Sequence, residues 1–115
     1  MKVYVAAKWE ERNRAREVMF RLVEAGHTIT YDWTVQEQES GYQAEADIDG
    51  VVKANAYVGV FEKDLNYVGA LIELGAALGI GIPVYVIGNA QVTKSMFFKH
   101  ELVRWGIGSL LEAYV

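Results

Sequence analysis

"AYVGVFEKDLNYVGALIELGAALGIGIPVYVIG", residues 56–88, reads as a strand, a helix and a second strand in direct succession. "AYVGVFE" (56–62) and "IPVYVIG" (82–88) are short, β-branched and aromatic, as buried strands are. Pro83 stands at the start of the second strand, where a missing backbone donor is tolerated. The loop "KDLNYV" (63–68) and the helix "GALIELGAALGIG" (69–81) lie between them.

The same alternation extends outward. "KVYVAA" (2–7) reads as a strand, and "EERNRAREVMFRLVEAG" (10–26) as a helix. In that helix Ala15, Val18, Met19, Leu22 and Val23 recur at three- and four-residue spacing, and Gly26 is the stop. "HTITYDWT" (27–34) carries the next strand. The polar stretch 35–46 reads as a loop entering a helix, and 47–56 continues that helix, weakened by Gly50. After residue 88 come a loop with a short helix (89–100), a fifth strand (101–106) and a terminal helix (108–115). Alternating strands and helices predict a parallel sheet covered on both faces. The expectation is one domain over residues 1–115, an α/β three-layer sandwich, doubly wound and flavodoxin- or Rossmann-like, with four to five parallel strands. Ligands bind such sheets beyond the carboxyl ends of the strands, where strand order reverses. The polar clusters expected at that edge are Lys8–Trp9, Asp32–Trp33–Thr34, Glu62–Asn66 with the start of the 69–81 helix, and Asn89–Ser95.

Composition narrows the function. The chain has 115 residues, a net charge of −4 and no cysteine. Thiolate chemistry and disulfides are excluded, and the acidic balance argues against nucleic acid or anionic membrane as partner. No leader peptide is expected after Met1, and no apolar run reaches the roughly 18 residues that span a bilayer. A cytoplasmic location fits these features. His27 and His100 are far apart and no spaced ligand cluster accompanies them, so no metal site is expected. There is no GxGxxG and no P-loop, hence no dinucleotide or Walker-type site.

One residue stands out in the 69–81 helix. Glu73 is the lone charge in an apolar run, and a buried carboxylate costs several kcal/mol unless compensated. Its helical neighbours Gly69, Ala70, Ala76 and Ala77 are all small, leaving a hollow for a ligand or another backbone. The residues alone leave two readings open, a site carboxylate or a carboxylate on a solvated rim. Trp9 and Trp33 are open in the same way, between stacking on a planar ligand and plain packing. Tyr4 is either a site phenol or a core tyrosine with a satisfied hydroxyl. The charged run 11–17 reads as a solvated helix face, apart from Lys8 and Arg12, which are placed to meet a phosphate.

The order "VYVAAKWEERNRA", then Asp49, then "AYVGVF", "GALIELGAAL" and "PVYVI" resembles the nucleoside 2-deoxyribosyltransferase family. That family is itself similar to the 2′-deoxynucleoside 5′-monophosphate N-glycosidases. The resemblance implies cleavage of the N-glycosidic bond of a (deoxy)nucleoside or its monophosphate, with the sugar passed to another base or to water and no cofactor. It implies Glu73 as nucleophile, Asp49, 24 residues earlier, as the active-site aspartate, and Tyr4 as the tyrosine that orients the nucleophile. Helix dipole and Tyr4 hydroxyl are expected to keep Glu73 ionised. Six residues before the nucleophile the family often carries Asp or Ser against the sugar. This chain has Tyr67 there, with Asn66 and Asp64 close by. The substrate-binding set expected is Lys8, Trp9, Trp33, Asp64, Asn66, Tyr67, Gly69 and Ser95. Alternatives are a TIR-like NAD or nucleotide glycohydrolase and a catalytically silent nucleotide-binding module. The family also implies a homo-oligomer, with Met96, Phe97 and Phe98 as an apolar interface patch.

Overall fold

The computed structural model describes residues 1–36, 41–63, 65–89 and 92–112. Five strands, β1 (Lys2–Ala6), β2 (Thr28–Ile29), β3 (Ala56–Phe61), β4 (Val84–Gly88) and β5 (Val103–Trp105), form one all-parallel sheet in the order β2-β1-β3-β4-β5. The helices are α1 (Arg12–Glu24), α2 (Gly41–Val52), α3 (Val68–Ile80) and α4 (Gly108–Leu111). α2 packs against α3, and α1 against α4, giving helices in two layers with the sheet between them. The expected doubly wound sandwich is what forms.

Strand order reverses at β1, which has β2 on one side and β3 on the other. β3 is buried at all six positions, the mark of a central parallel strand covered on both faces. Tyr4 and Tyr57 are register partners across β1 and β3, so their side chains leave the same face of the sheet. That face carries α3, since the Tyr4 and Tyr57 hydroxyls both reach it. On α1, Ala15, Val18, Met19 and Leu22 are buried, following the spacing read from the sequence. Truncating the fully buried Leu22 to alanine should cost about 2–5 kcal/mol. α3 stops at Gly81, whose φ of 81° lies in the left-handed region and whose N–H closes on the Ala77 and Leu78 carbonyls.

Two element boundaries differ from expectation, and a third is sharpened. β2 is only two residues long, because Asp32 accepts the Thr34 N–H at 2.9 Å and turns 33–35 into a short 3₁₀ turn. α2 begins at Gly41, halfway along the stretch read as a loop entering a helix. α2 also ends at Val52, four residues early, where the chain turns into β3. The terminal helix spans Gly108–Leu111, and residues 113–115 of its expected range lie outside the described residues. No helix among the described residues is long and apolar enough to cross a membrane.

Candidate active site

The carboxyl end of β1 and the start of α3, which follows β3, open onto a cavity of about 210 Å³ at the reversal of strand order. Tyr4 comes from β1, Ala7 and Trp9 from the loop after it, and Trp33 from the turn after β2. Gln43, Ala44 and Asp47 come from α2, and Gly69, Ala70 and Glu73 from α3.

Glu73 is buried, and the Tyr4 hydroxyl donates to its Oε2 at 2.6 Å. Burial pushes the Glu73 carboxyl up to about 8. The Tyr4 hydrogen bond opposes that rise, while the charge of Asp47 and a hydrogen bond with it add to it. The expected ionised carboxylate is therefore corrected in direction: desolvation outweighs the phenol donor and favours the protonated form of Glu73. Tyr4 and Tyr57 are both raised above the ordinary phenol range, chiefly by burial, and stay neutral donors. The Tyr57 hydroxyl donates to the Ala70 carbonyl at 2.7 Å, one turn before Glu73 on α3. Of the small neighbours of Glu73, only Gly69 and Ala70 line the cavity. Ala77 faces the core.

The two indoles wall one side, with ring centroids 6.4 Å apart and planes at 46°. Trp33 is anchored by its Nε1, which donates to the Val5 carbonyl at 2.7 Å. Arg16 fixes the same turn by donating from Nε to Thr34 Oγ1 at 3.0 Å. The Arg12 guanidinium lies 4.7 Å from the Trp9 ring centroid and donates to the Trp9 carbonyl.

A second hollow of about 250 Å³ adjoins the first, sharing Ala7, Trp9, Gly69 and Ala70 with it. It is closed by Lys8, Asn66, Tyr67 and Val68. Lys8 Nζ donates to the Asn66 carbonyl at 2.5 Å, which ties the first loop to the loop before α3.

The structure brings Tyr4, Trp9, Trp33, Gly69 and Glu73 to the cavity, and Lys8, Asn66 and Tyr67 to the adjoining hollow. Asp49 is not among them. It is exposed on the outer side of α2 and pairs with Lys53 at 2.6 Å, and the aspartate that reaches Glu73 is Asp47. The reason is helical phase: Gly50 and Val51 are buried, and Asp47 precedes them by three and four residues, whereas Asp49 precedes them by one and two. That spacing was readable in the sequence and is the signal that finds Asp47. With Asp47 come Gln43 and Ala44, one turn earlier on the same face.

Ser95 is also elsewhere. It caps a 3₁₀ turn (Met96–Lys99) and lines an apolar groove on the far side of α3 with Leu71, Ile72 and Phe97. The Tyr67 hydroxyl donates to Glu11 Oε1 and accepts the Lys63 N–H at 3.2 Å, so it turns away from Glu73. Glu11 is buried, and its Oε2 has no hydrogen-bond partner among the described residues. Asp64 lies outside the described residues. Phe98 leaves the expected surface patch, packing edge-on against Phe61 in the core, while Met96 and Phe97 stay exposed. No three His, Cys, Asp or Glu side chains gather as metal ligands among the described residues.

No family model and no curated protein matches the chain. Solved structures do. A CMP N-glycosidase, BcmB, of Clostridium botulinum matches with a TM-score of 0.67 and 19% identity, covering 91% of this chain and 87% of that one. A 2-deoxyribosyltransferase from Bacillus psychrosaccharolyticus matches with a TM-score of 0.64 and 22% identity, covering 83% and 82%. Over nearly its whole length, the chain has the fold of these two enzymes.

Proposed function

We propose that this protein cleaves the N-glycosidic bond of a (deoxy)nucleoside or nucleoside monophosphate, passing the sugar to another base or to water. The observation that carries this reading is a buried carboxyl, Glu73, bonded to a phenol and set against a second carboxyl, Asp47, in a cavity walled by two indoles. The fold shared with a CMP N-glycosidase and a 2-deoxyribosyltransferase supports it.

Asp47 and Glu73 are hydrogen-bonded to each other, and the productive form of the pair carries one proton. Burial keeps that proton on Glu73 before substrate binds; as the sugar takes on positive charge, that charge and the Tyr4 donor favour the Glu73 carboxylate, and the proton passes to Asp47 across their hydrogen bond. Glu73 attacks the anomeric carbon as the bond to the base breaks. The bonding pair departs with the base nitrogen, and Asp47 supplies its proton. The glycosyl ester is then opened by water or a second base, which returns the carboxylate to Glu73 and the proton to Asp47. All the reacting groups are side chains, so the scheme calls for no cofactor.

Trp9 and Trp33 stack on the base, Gly69 and Ala70 leave room for the sugar, and Lys8, Asn66 and Tyr67 bound the space beyond it. Asp49 and Ser95 take no part in this scheme within one chain. A homo-oligomer through the groove on the far side of α3 completes the reading.

The test is incubation with a panel of nucleosides, monophosphates and NAD, reading free base by chromatography. Base release from nucleosides or monophosphates, lost in Glu73→Ala, is the expected result. Release of nicotinamide alone would make the protein a TIR-like NAD glycohydrolase. Binding with no release from any of them would make it a silent nucleotide-binding module.

A further inference from the structure

α2 carries a glycine in its third turn, where alanine would favour the helix. The backbone does not ask for it, since Gly50 is absent from the glycines with positive φ. Space does. A Cβ at Gly50 would stand 2.9 Å from Tyr4 Cδ1, 3.1 Å from Tyr4 Cε1 and 3.0 Å from Tyr31 Cβ. The Tyr4 ring has nowhere to retreat: it is fully buried, stacked on Tyr57 with centroids 6.2 Å apart, and held at its hydroxyl by Glu73. Tyr31 Cβ moves only with its own backbone. An added methyl therefore has to push α2 outward. The same residue is the tie point of the helix, because Thr30 Oγ1 donates to the Gly50 carbonyl at 2.7 Å. Asp47 lies one turn before Gly50 on the same face of α2.

We propose that Gly50 is a positioning residue: its missing side chain lets α2 rest on the Tyr4 ring, and this contact holds Asp47 against Glu73. The proposal rests on the reading of Asp47 and Glu73 as the reacting pair. Among the described residues, the titratable groups that face Glu73 are Tyr4 from β1, Tyr57 from β3 and Asp47 from α2. Of these, only Asp47 is carried by the helix that an added methyl would displace.

The test is Gly50→Ala, with the Glu73 carboxyl titrated by NMR in the absence of substrate and turnover measured beside it. As Asp47 backs away, the Glu73 midpoint should fall from about 8 by roughly one pH unit. In Asp47→Asn the midpoint falls on its own, and adding Gly50→Ala should then shift it clearly less than it does in the presence of Asp47, the remainder reflecting water admitted beside α2. Turnover should drop at least about tenfold for poorly leaving bases. Thr30→Val adds no bulk but cuts the tie at Gly50, and should move the midpoint in the same direction by less. If Gly50→Ala does not fold, Thr30→Val decides. A midpoint that is unchanged or raised in the folded variants overturns the proposal. A lowered melting temperature with an unmoved midpoint does so too, because it makes Gly50 a packing residue only. Since the titration needs no substrate, failure of the glycosyl-transfer reading would appear separately, as absence of base release.

Discussion

The Tyr4 hydroxyl donates to Glu73 Oε2 at 2.6 Å, joining two residues 69 positions apart in the chain. A strand and a helix supply them, and the parallel sheet brings them together at its carboxyl edge. Among the described residues, the bond is the one contact of Glu73 that favours its charged form, set against burial and Asp47.

Removing that donor tests the balance. In Tyr4→Phe the Glu73 midpoint should rise above about 8, because only the opposing influences remain. The alkaline-going limb of the kcat/KM profile, which reports ionisation of the free enzyme, should shift to higher pH with it. A profile that stays in place would separate Tyr4 from the titration of Glu73.

Glu73→Gln should abolish base release, by on the order of a thousandfold or more, while raising stability at alkaline pH. The Glu73 carboxyl titrates higher in the folded chain, about 8, than its ordinary 4.5, so the folded state holds the proton more tightly. Its contribution is full below pH 4.5 and is lost as pH rises towards 8. The variant should therefore be more stable than wild type at pH 9, by on the order of a few kcal/mol at most, and melt higher there, with little difference at pH 4. Equal melting curves at both pH values would remove Glu73 from the buried, proton-binding groups.

Asp47→Asn and Asp49→Asn should differ sharply. The first removes the proposed proton donor, so turnover should fall most for bases that leave poorly and least for labile ones. The second loses only an exposed pair with Lys53 in the i,i+4 relation, worth about 0.3–0.5 kcal/mol, and should turn over like wild type. Loss of activity in Asp49→Asn with Asp47→Asn intact would reverse the assignment.

Tyr67→Phe leaves the buried Glu11 carboxylate without its phenol donor. Stability should fall by about 1–3 kcal/mol, read by denaturant unfolding. Restoring stability with a second change, Glu11→Gln or Glu11→Leu, would confirm that the cost lies in the orphaned carboxylate.

The far side of α3 leaves Leu71, Ile72 and Phe97 exposed around a groove of about 400 Å³. If a second copy covers it, light scattering at micromolar concentration should give a mass well above the 12.9 kDa of one chain. Ile72→Asp should return the protein to that mass. A monomeric wild type would remove the oligomer from the reading.

The sequence alone determined the layered fold, because strand and helix periods alternate along it and each is a local property of a few neighbouring residues. It also singled out Glu73, the lone charge among small and apolar helix positions, and placed Tyr4 on the strand that would meet it. What it could not decide were properties set by residues far away in the chain. Which of Asp47 and Asp49 faces Glu73 depends on the rotation of α2, and that rotation is set where Gly50 meets Tyr4 and where Val51 enters the core. Tyr67 turned to Glu11, and Ser95 went to the opposite side of α3, because their partners belong to other segments. The protonation of Glu73 is the clearest case. A carboxyl six residues into a helix titrates normally when solvated, and here it is raised because strands and helices from four parts of the chain exclude water around it.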